Sequence, residues 1–165
     1  CKGIYLGGGY PELHAEKLSA NKAMLAAVHG FGESDGIIYG ECGGFMYLCE
    51  RILNLNGQSY TMSGLFPFTV KMKPRLSRLG YRNPTLLSSC FWGEPEQELH
   101  GHEFHYSELM DHEDTIPTIY QLQNDTREGY MYKNVLGGYL HLHFARSVSN
   151  INTFITNLRN SSVIT

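Results

Sequence analysis

No stretch of the chain approaches the roughly 20 consecutive apolar residues that cross a bilayer, and the opening "CKGIYLGGGY" is too polar and glycine-rich for a signal peptide. Basic residues are few: 13 Lys+Arg against 16 Asp+Glu leave a net charge of −3, and they are scattered along the chain. A nucleic acid or an anionic membrane surface therefore has no patch to bind. The four cysteines (Cys1, Cys42, Cys49 and Cys90) form no CxxC pair and no disulfide-rich spacing, so free thiols in a reducing, cytoplasmic compartment are expected. There is no internal repeat, low-complexity tract or linker. What remains is 165 residues with 42% hydrophobic content, enough for one α/β domain with its own core. The chain starts at Cys1 without a methionine and enters a core strand at once, as a piece of a longer protein would.

Short apolar runs alternate with helical patterns in the first third. "GIYL" (Gly3–Leu6) reads as a buried strand, and Pro11 with Glu12 suits the first turn of a helix running to about residue 29. "GIIYG" (36–40) repeats the design, followed by a turn and a helix through Phe45, Met46, Leu48, Cys49 and Ile52. Such alternation predicts a parallel sheet with covering helices. Over residues 57–106 short strands and turns take over, with "PFTVKM", "LGYR" and "GHEFHYS" as candidate strands. "EGYMYKNVLGGYLHLHF" (128–144) reads as a hairpin turning at Asn134, its second strand carrying Tyr139, His141 and His143 on one face. A helix over residues 149–158 closes the chain.

The junction "YGECGGFMYL" stands out chemically. Cys42 lies where the second strand meets its helix, and Gly43 and Gly44 allow substrate to approach the backbone. That is the layout of a nucleophile on a tight elbow, where a helix N-terminus is expected to lower the thiol pKa. Most free cysteines are buried packing residues, and Cys49 fits that role. A thiol nucleophile needs a base, and His141 on the late strand is the best placed of the eight histidines, with His143 two residues on as a possible orienting group. "LGGGYPE" lacks the GK[ST] of a phosphate loop. Its N–H groups at Gly8 and Gly9 can instead join that of Gly43 in an oxyanion hole.

Two other classes stay open at this level. "HGHEFHYSE" together with "HLH" invites a His-rich metal-binding β-barrel, although the two early strand–turn–helix units do not belong to one. A non-catalytic binding domain would use the same residues for packing.

Four stretches in order, "GGGYPELHAEKLSAN", "YGECGGFMYL", "GHEFHYSE" and "GGYLHLHF", resemble the C-terminal glutamine amidotransferase domain of the cobyrinic acid a,c-diamide synthase family. The resemblance covers nearly the whole chain, as one domain over 1–165. It implies a class I, triad-type glutaminase of flavodoxin-like α/β architecture, a mostly parallel central sheet flanked by helices with an antiparallel hairpin extension. It further implies that Cys42 attacks the glutamine side-chain amide to give a γ-glutamyl thioester and ammonia, with His141 as general base and acid. The ammonia would amidate the a and c carboxylates of a corrin (cobyrinic or hydrogenobyrinic acid) in cobalamin biosynthesis. ATP and magnesium would act in the family's N-terminal P-loop synthetase domain, which this sequence lacks, and no cofactor or metal is expected here. A related tetrapyrrole or cobyric acid amidotransferase is the alternative within the class, and a homodimer remains an open assembly. Many class I enzymes carry a glutamate two residues after the histidine, where this chain has His143; Glu103 is a second candidate for the orienting group. "RLGYR" (Arg78–Arg82) also resembles family sequence, and its arginines suit tetrapyrrole carboxylates as well as solvent.

Overall fold

In the computed structural model, which describes residues 1–110 and 116–161, the two early strand–helix units form, but "GIYL" is a partly exposed edge strand, with Tyr5 50% exposed, and not the buried strand expected. β1 (Gly3–Leu6) leads through loop 7–10 and a 3-10 turn (Pro11–His14) into α1 (Ala15–Ala20) and α2 (Lys22–Glu33). β2 (Ile37–Glu41) follows, then α3 (Gly43–Leu48). The middle of the chain supplies β3 (Cys49–Leu53), β4 (Ser59–Thr61), β5 (Phe66–Met72), β6 (Arg78–Arg82), β7 (Thr85–Leu86), β8 (Gly101–His105) and β9 (Ser107–Met110). β10 (Thr118–Gln121), β11 (Arg127–Tyr132), β12 (Val135–Gly138), β13 (Leu140–Leu142) and α4 (Val148–Asn160) complete it.

A six-stranded sheet runs β1-β2-β12-β11-β10-β7. Its β1, β2 and β12 are parallel, and β11, β10 and β7 extend it antiparallel. Every residue of β2 is buried, as a strand covered on both faces must be. Because successive side chains point to opposite faces, Ile38 joins a core with Phe45, Phe66 and Val135, while Ile37 and Tyr39 join a second with Trp92, Leu136 and Leu140. α3 packs on the first face, and Ile151, Phe154 and Leu158 of α4 cover the second. Burying each large apolar side chain contributes about 1.5–3 kcal/mol. Two smaller sheets, β13-β8-β6 and β4-β3-β5-β9, stand beside the main one.

Four further local features differ from the sequence pattern. The first helix is broken at Asn21, whose side chain accepts the Met24 N–H (3.2 Å) and starts α2 afresh, which then runs on to Glu33. The helix after Cys42 stops at Leu48: Cys49 is extended (φ −70°, ψ 172°), and residues 49–53 pair with β4 and β5. A short run with buried Cys49 and Ile52 serves either structure, and here sheet pairing wins. "GHEFHYS" forms two strands in different sheets, divided at Tyr106. The late strand is also divided. Gly138 faces the Glu128 carboxylate, which accepts the Tyr139 N–H, so Val135–Gly138 stays in the main sheet while Leu140–Leu142 crosses to β8. Tyr139 therefore packs into the first core against Phe45 and His105, away from His141.

Candidate active site

The end of β2 builds the site. Cys42 sits at φ 48°, ψ −102°, a left-handed backbone that costs a non-glycine residue on the order of 1–3 kcal/mol and persists only when its surroundings hold it. Its N–H donates to the Gly138 carbonyl (2.7 Å), and its own carbonyl accepts the Met46 N–H (2.9 Å) in the first turn of α3. Glycine is required behind it because loop 7–10 and the end of β1 lie directly on the elbow. A Cβ on Gly43 would run into the Gly9 backbone, and one on Gly44 into the Leu6 carbonyl.

The thiol is nearly closed off, 7% exposed, and Sγ donates to the Phe104 carbonyl at 3.6 Å. Burial pushes its pKa up to about 12. The Gly43 N–H favours the thiolate, but the carboxylates of Glu12, Glu41 and Glu128 add to the opposing effect. This corrects the expectation of a thiol acidified by a helix end: desolvation outweighs what one six-residue helix supplies. Cys49, as expected of a packing residue, is fully buried, its Sγ on the Phe45 carbonyl.

His141 approaches from β13. Its ring packs so closely on Gly8 that a Cβ there would overlap it, so loop 7–10 touches both the imidazole and the elbow. Burial lowers its pKa, the Glu41 carboxylate opposes that, and His102 and His143 lower it further. Its Nδ1 lies 3.9 Å from Glu41 Oε2, and its ring stacks on His102 with centroids 4.8 Å apart. Among the described residues no hydrogen bond joins Cys42 Sγ to His141. His143 bonds His102 instead (Nε2 to Nδ1, 2.9 Å), and it is His102 that stacks on the His141 ring. Glu103 stands opposite Leu140 across the β13–β8 pair, while His102 stands opposite His141. Cross-strand partners share a face, so Glu103 points away from the imidazole; it binds Arg82 at 2.6 Å.

Around the thiol a narrow cavity of about 20 Å³ is bounded by Gly9, Glu12, Cys42, Phe104, His105 and Tyr106. It has room for about one water. A larger cavity of about 650 Å³ shares His105 and Ser107 with it and is edged by Arg78, Arg82 and Arg127. Among the described residues no group of three or more His, Cys, Asp or Glu side chains is placed to hold a metal, and no helix is long and apolar enough to cross a membrane.

Sequence reasoning missed Glu41 and Glu12. For Glu41 there was a signal: a charged residue ending the otherwise uncharged, fully buried strand "IIYGE". Glu12 carries no sequence signal beyond its place at a helix start.

The parallel strands, the cysteine elbow and the glycine loop define the fold of the glutamine amidotransferases. A solved glutamine amidotransferase superposes with a TM-score of 0.65 at 15% identity, over 96% of this chain and 79% of that one. A second, from Thermotoga maritima, gives 0.55 at 15% identity, over 98% and 65%. Residues 1–148 match the CobB/CobQ-like glutamine amidotransferase domain, and the chain belongs to that family. Curated relatives named cobyrinate a,c-diamide synthase are 40% identical in Dehalococcoides mccartyi (93% of this chain, 34% of that protein) and 36% identical in Synechocystis (92% and 32%). The chain thus spans about a third of the length of these relatives.

Proposed function

We propose that this chain is the glutaminase part of a cobyrinate a,c-diamide synthase, with Cys42 as nucleophile and His141 as general base and acid. The observation that carries the reading is the strained, buried cysteine elbow, with a single glycine loop lying on both its Gly43 and the His141 ring.

In this reading the Cys42 thiol gives its proton to neutral His141 as sulfur attacks the glutamine carboxamide carbon. The backbone N–H groups of Gly43 and the Gly8–Gly9 loop receive the oxyanion. Collapse breaks the C–N bond, His141 returns the proton to the leaving nitrogen, and ammonia departs from a γ-glutamyl thioester. His141 then takes a proton from water, which hydrolyses the thioester to glutamate and frees the thiol.

A thiol whose pKa is pushed up to about 12 and an imidazole whose pKa lies below its ordinary 6.5 are both neutral near pH 7. Proton transfer from such a thiol to such an imidazole is uphill. Substrate must open the 20 Å³ cavity and reorganise the glycine loop before that step is accessible. This supports slow hydrolysis by the chain alone. Ammonia would pass to corrin a and c carboxylates activated with ATP and magnesium in the remainder of the full-length synthase.

The test is glutamate release from glutamine by this chain, alone and joined to the remainder of a full-length synthase. Cys42→Ala in the joined enzyme should abolish glutamine-dependent amidation and leave amidation from added ammonia. Equal loss with both nitrogen donors would assign Cys42 to the fold or the synthetase instead.

A further inference from the structure

Glu41 is a buried acid beside the site that the reaction above leaves unused. It ends β2 one residue before Cys42, and alternation along the strand sends its side chain to the face of Ile37 and Tyr39, opposite the thiol. The carboxylate is 5% exposed. Oε2 accepts the Tyr5 hydroxyl (2.7 Å) and Oε1 accepts the Leu142 N–H (2.9 Å). Both donors are neutral, and a buried carboxylate without a cation is costly. Among the described residues, His141 is the ionisable base within ion-pair distance, its Nδ1 3.9 Å from Oε2.

We propose that Glu41 is the positioning carboxylate for His141: it holds the imidazole in the Nδ1–H tautomer and stabilises the imidazolium formed when the Cys42 proton arrives. The inference rests on the assignment of Cys42 and His141 as nucleophile and base. One residue beyond His141, the Leu142 N–H fixes β13 to the same carboxylate, so Glu41 sets both the strand and the ring it carries. With Nδ1–H turned toward Glu41, Nε2 is the nitrogen that receives the proton. The 3.9 Å separation is beyond a hydrogen bond; catalytic contacts of this kind commonly tighten only in the substrate complex. Loop 7–10, packed on the ring at Gly8, is the element whose movement would close it. Besides Cys42, the titratable groups that act on the pair are Tyr5 on β1, Tyr39 on β2, His102 and His105 on β8, Tyr120 on β10 and His143 after β13. None of these supplies a negative charge near neutral pH. Sequence position hides the arrangement, because the carboxylate precedes the nucleophile instead of following the histidine.

The test joins kinetics to a direct view of the ring. Nitrogen-15 NMR of histidine-labelled wild-type chain should show neutral His141 as the Nδ1–H tautomer; the Nε2–H tautomer would overturn the proposal without any mutant. In glutaminase assays of the full-length enzyme, Glu41→Gln, whose amide oxygen can accept the Leu142 N–H while its NH2 donates to the Tyr5 hydroxyl oxygen, should lower kcat about 100-fold with KM within about twofold. The His141 titration and the acid limb of the pH–rate profile should both move to lower pH, since removing the anion disfavours the imidazolium. Glu41→Asp should recover at least about tenfold of the loss by restoring the charge. A wild-type kcat in Glu41→Gln, or a loss of kcat with the His141 titration unmoved, would leave Glu41 a strand anchor only. Cys42→Ala separates the two levels: its retention of hydrolysis would remove the underlying assignment, whereas an inactive Cys42→Ala beside an unimpaired Glu41→Gln removes the role of Glu41 alone.

Discussion

Replacing Cys1 and Cys90 with serine leaves Cys42 and the fully buried Cys49, so the rate at which an aromatic disulfide reagent modifies Cys42 can be followed with little background. An ordinary cysteine near 8.5 is about one-quarter thiolate at pH 8. A thiol at about 12 is ionised in about one molecule in ten thousand, a deficit of about 2,000-fold. The greater nucleophilicity of the more basic thiolate returns a factor of about 40, with a Brønsted slope of 0.4–0.5 over the difference in pKa. Cys42 should therefore react about 50-fold more slowly than a free cysteine at pH 8, before burial adds its own hindrance. Its rate should keep rising tenfold per pH unit through pH 10 with no plateau. Glu12→Gln should accelerate it, because that carboxylate opposes the thiolate. A plateau below pH 8, with a rate equal to or above that of free cysteine, would refute the reasoning and restore the helix terminus as the dominant influence.

His141→Ala should lower glutaminase activity by about 10²–10⁴-fold, and His143→Ala much less, since His143 hydrogen-bonds His102 and it is His102 that stacks on the His141 ring; steady-state kinetics on the two folded variants would reveal the reverse order if the base is misassigned. Gly8→Ala should leave Tm near wild type but displace the His141 ring and cost kcat up to about 100-fold. Gly44→Ala meets the Leu6 backbone, which cannot step aside, and should cost about 1–3 kcal/mol of stability, a fall of about 2–4 °C in Tm per kcal/mol at this size; thermal scans with kinetics on both variants would contradict this if the effects exchanged places. Burial pushes the Glu128 carboxyl up to about 8. Between the ordinary glutamate value of about 4.3 and 8 the folded chain holds a proton that the unfolded chain has released, so this group makes stability fall as pH rises, on the order of a few kcal/mol across the window. Glu128→Gln should flatten the decline of the urea midpoint between pH 5 and pH 8, and equal slopes would contradict the assignment.

How much the sequence reveals depends on the range of the interactions involved. β1, β2 and the turn at Cys42 are visible because short uncharged runs, a glycine pair and a helical period are local signals. The strand at residues 49–53 is not, since its alternative as a helix is refused only by β4 and β5, which arrive later in the chain. The break at Tyr139 depends on Glu128, eleven residues earlier, whose carboxylate takes an N–H that a continuous strand would have paired. For the site, Cys42 and the glycine loop can be read from composition and spacing, and the motif resemblance selects His141. The raised pKa of the thiol cannot be read that way, because it comes from desolvation by residues gathered from across the chain. The Glu41–His141 approach spans 100 residues and exists only because β12 pairs parallel to β2 and hands the chain on to β13.

The γ-glutamyl thioester itself decides the reading. Full-length enzyme mixed with carbon-13-labelled glutamine, quenched in acid within milliseconds, digested and mapped by mass spectrometry should carry the labelled glutamyl group on the peptide containing Cys42. The label should be absent from Cys42→Ala and accumulate more slowly in His141→Ala. Rapid glutamate release with no adduct at Cys42, or an adduct on another residue, would contradict the assignment of Cys42 as the nucleophile.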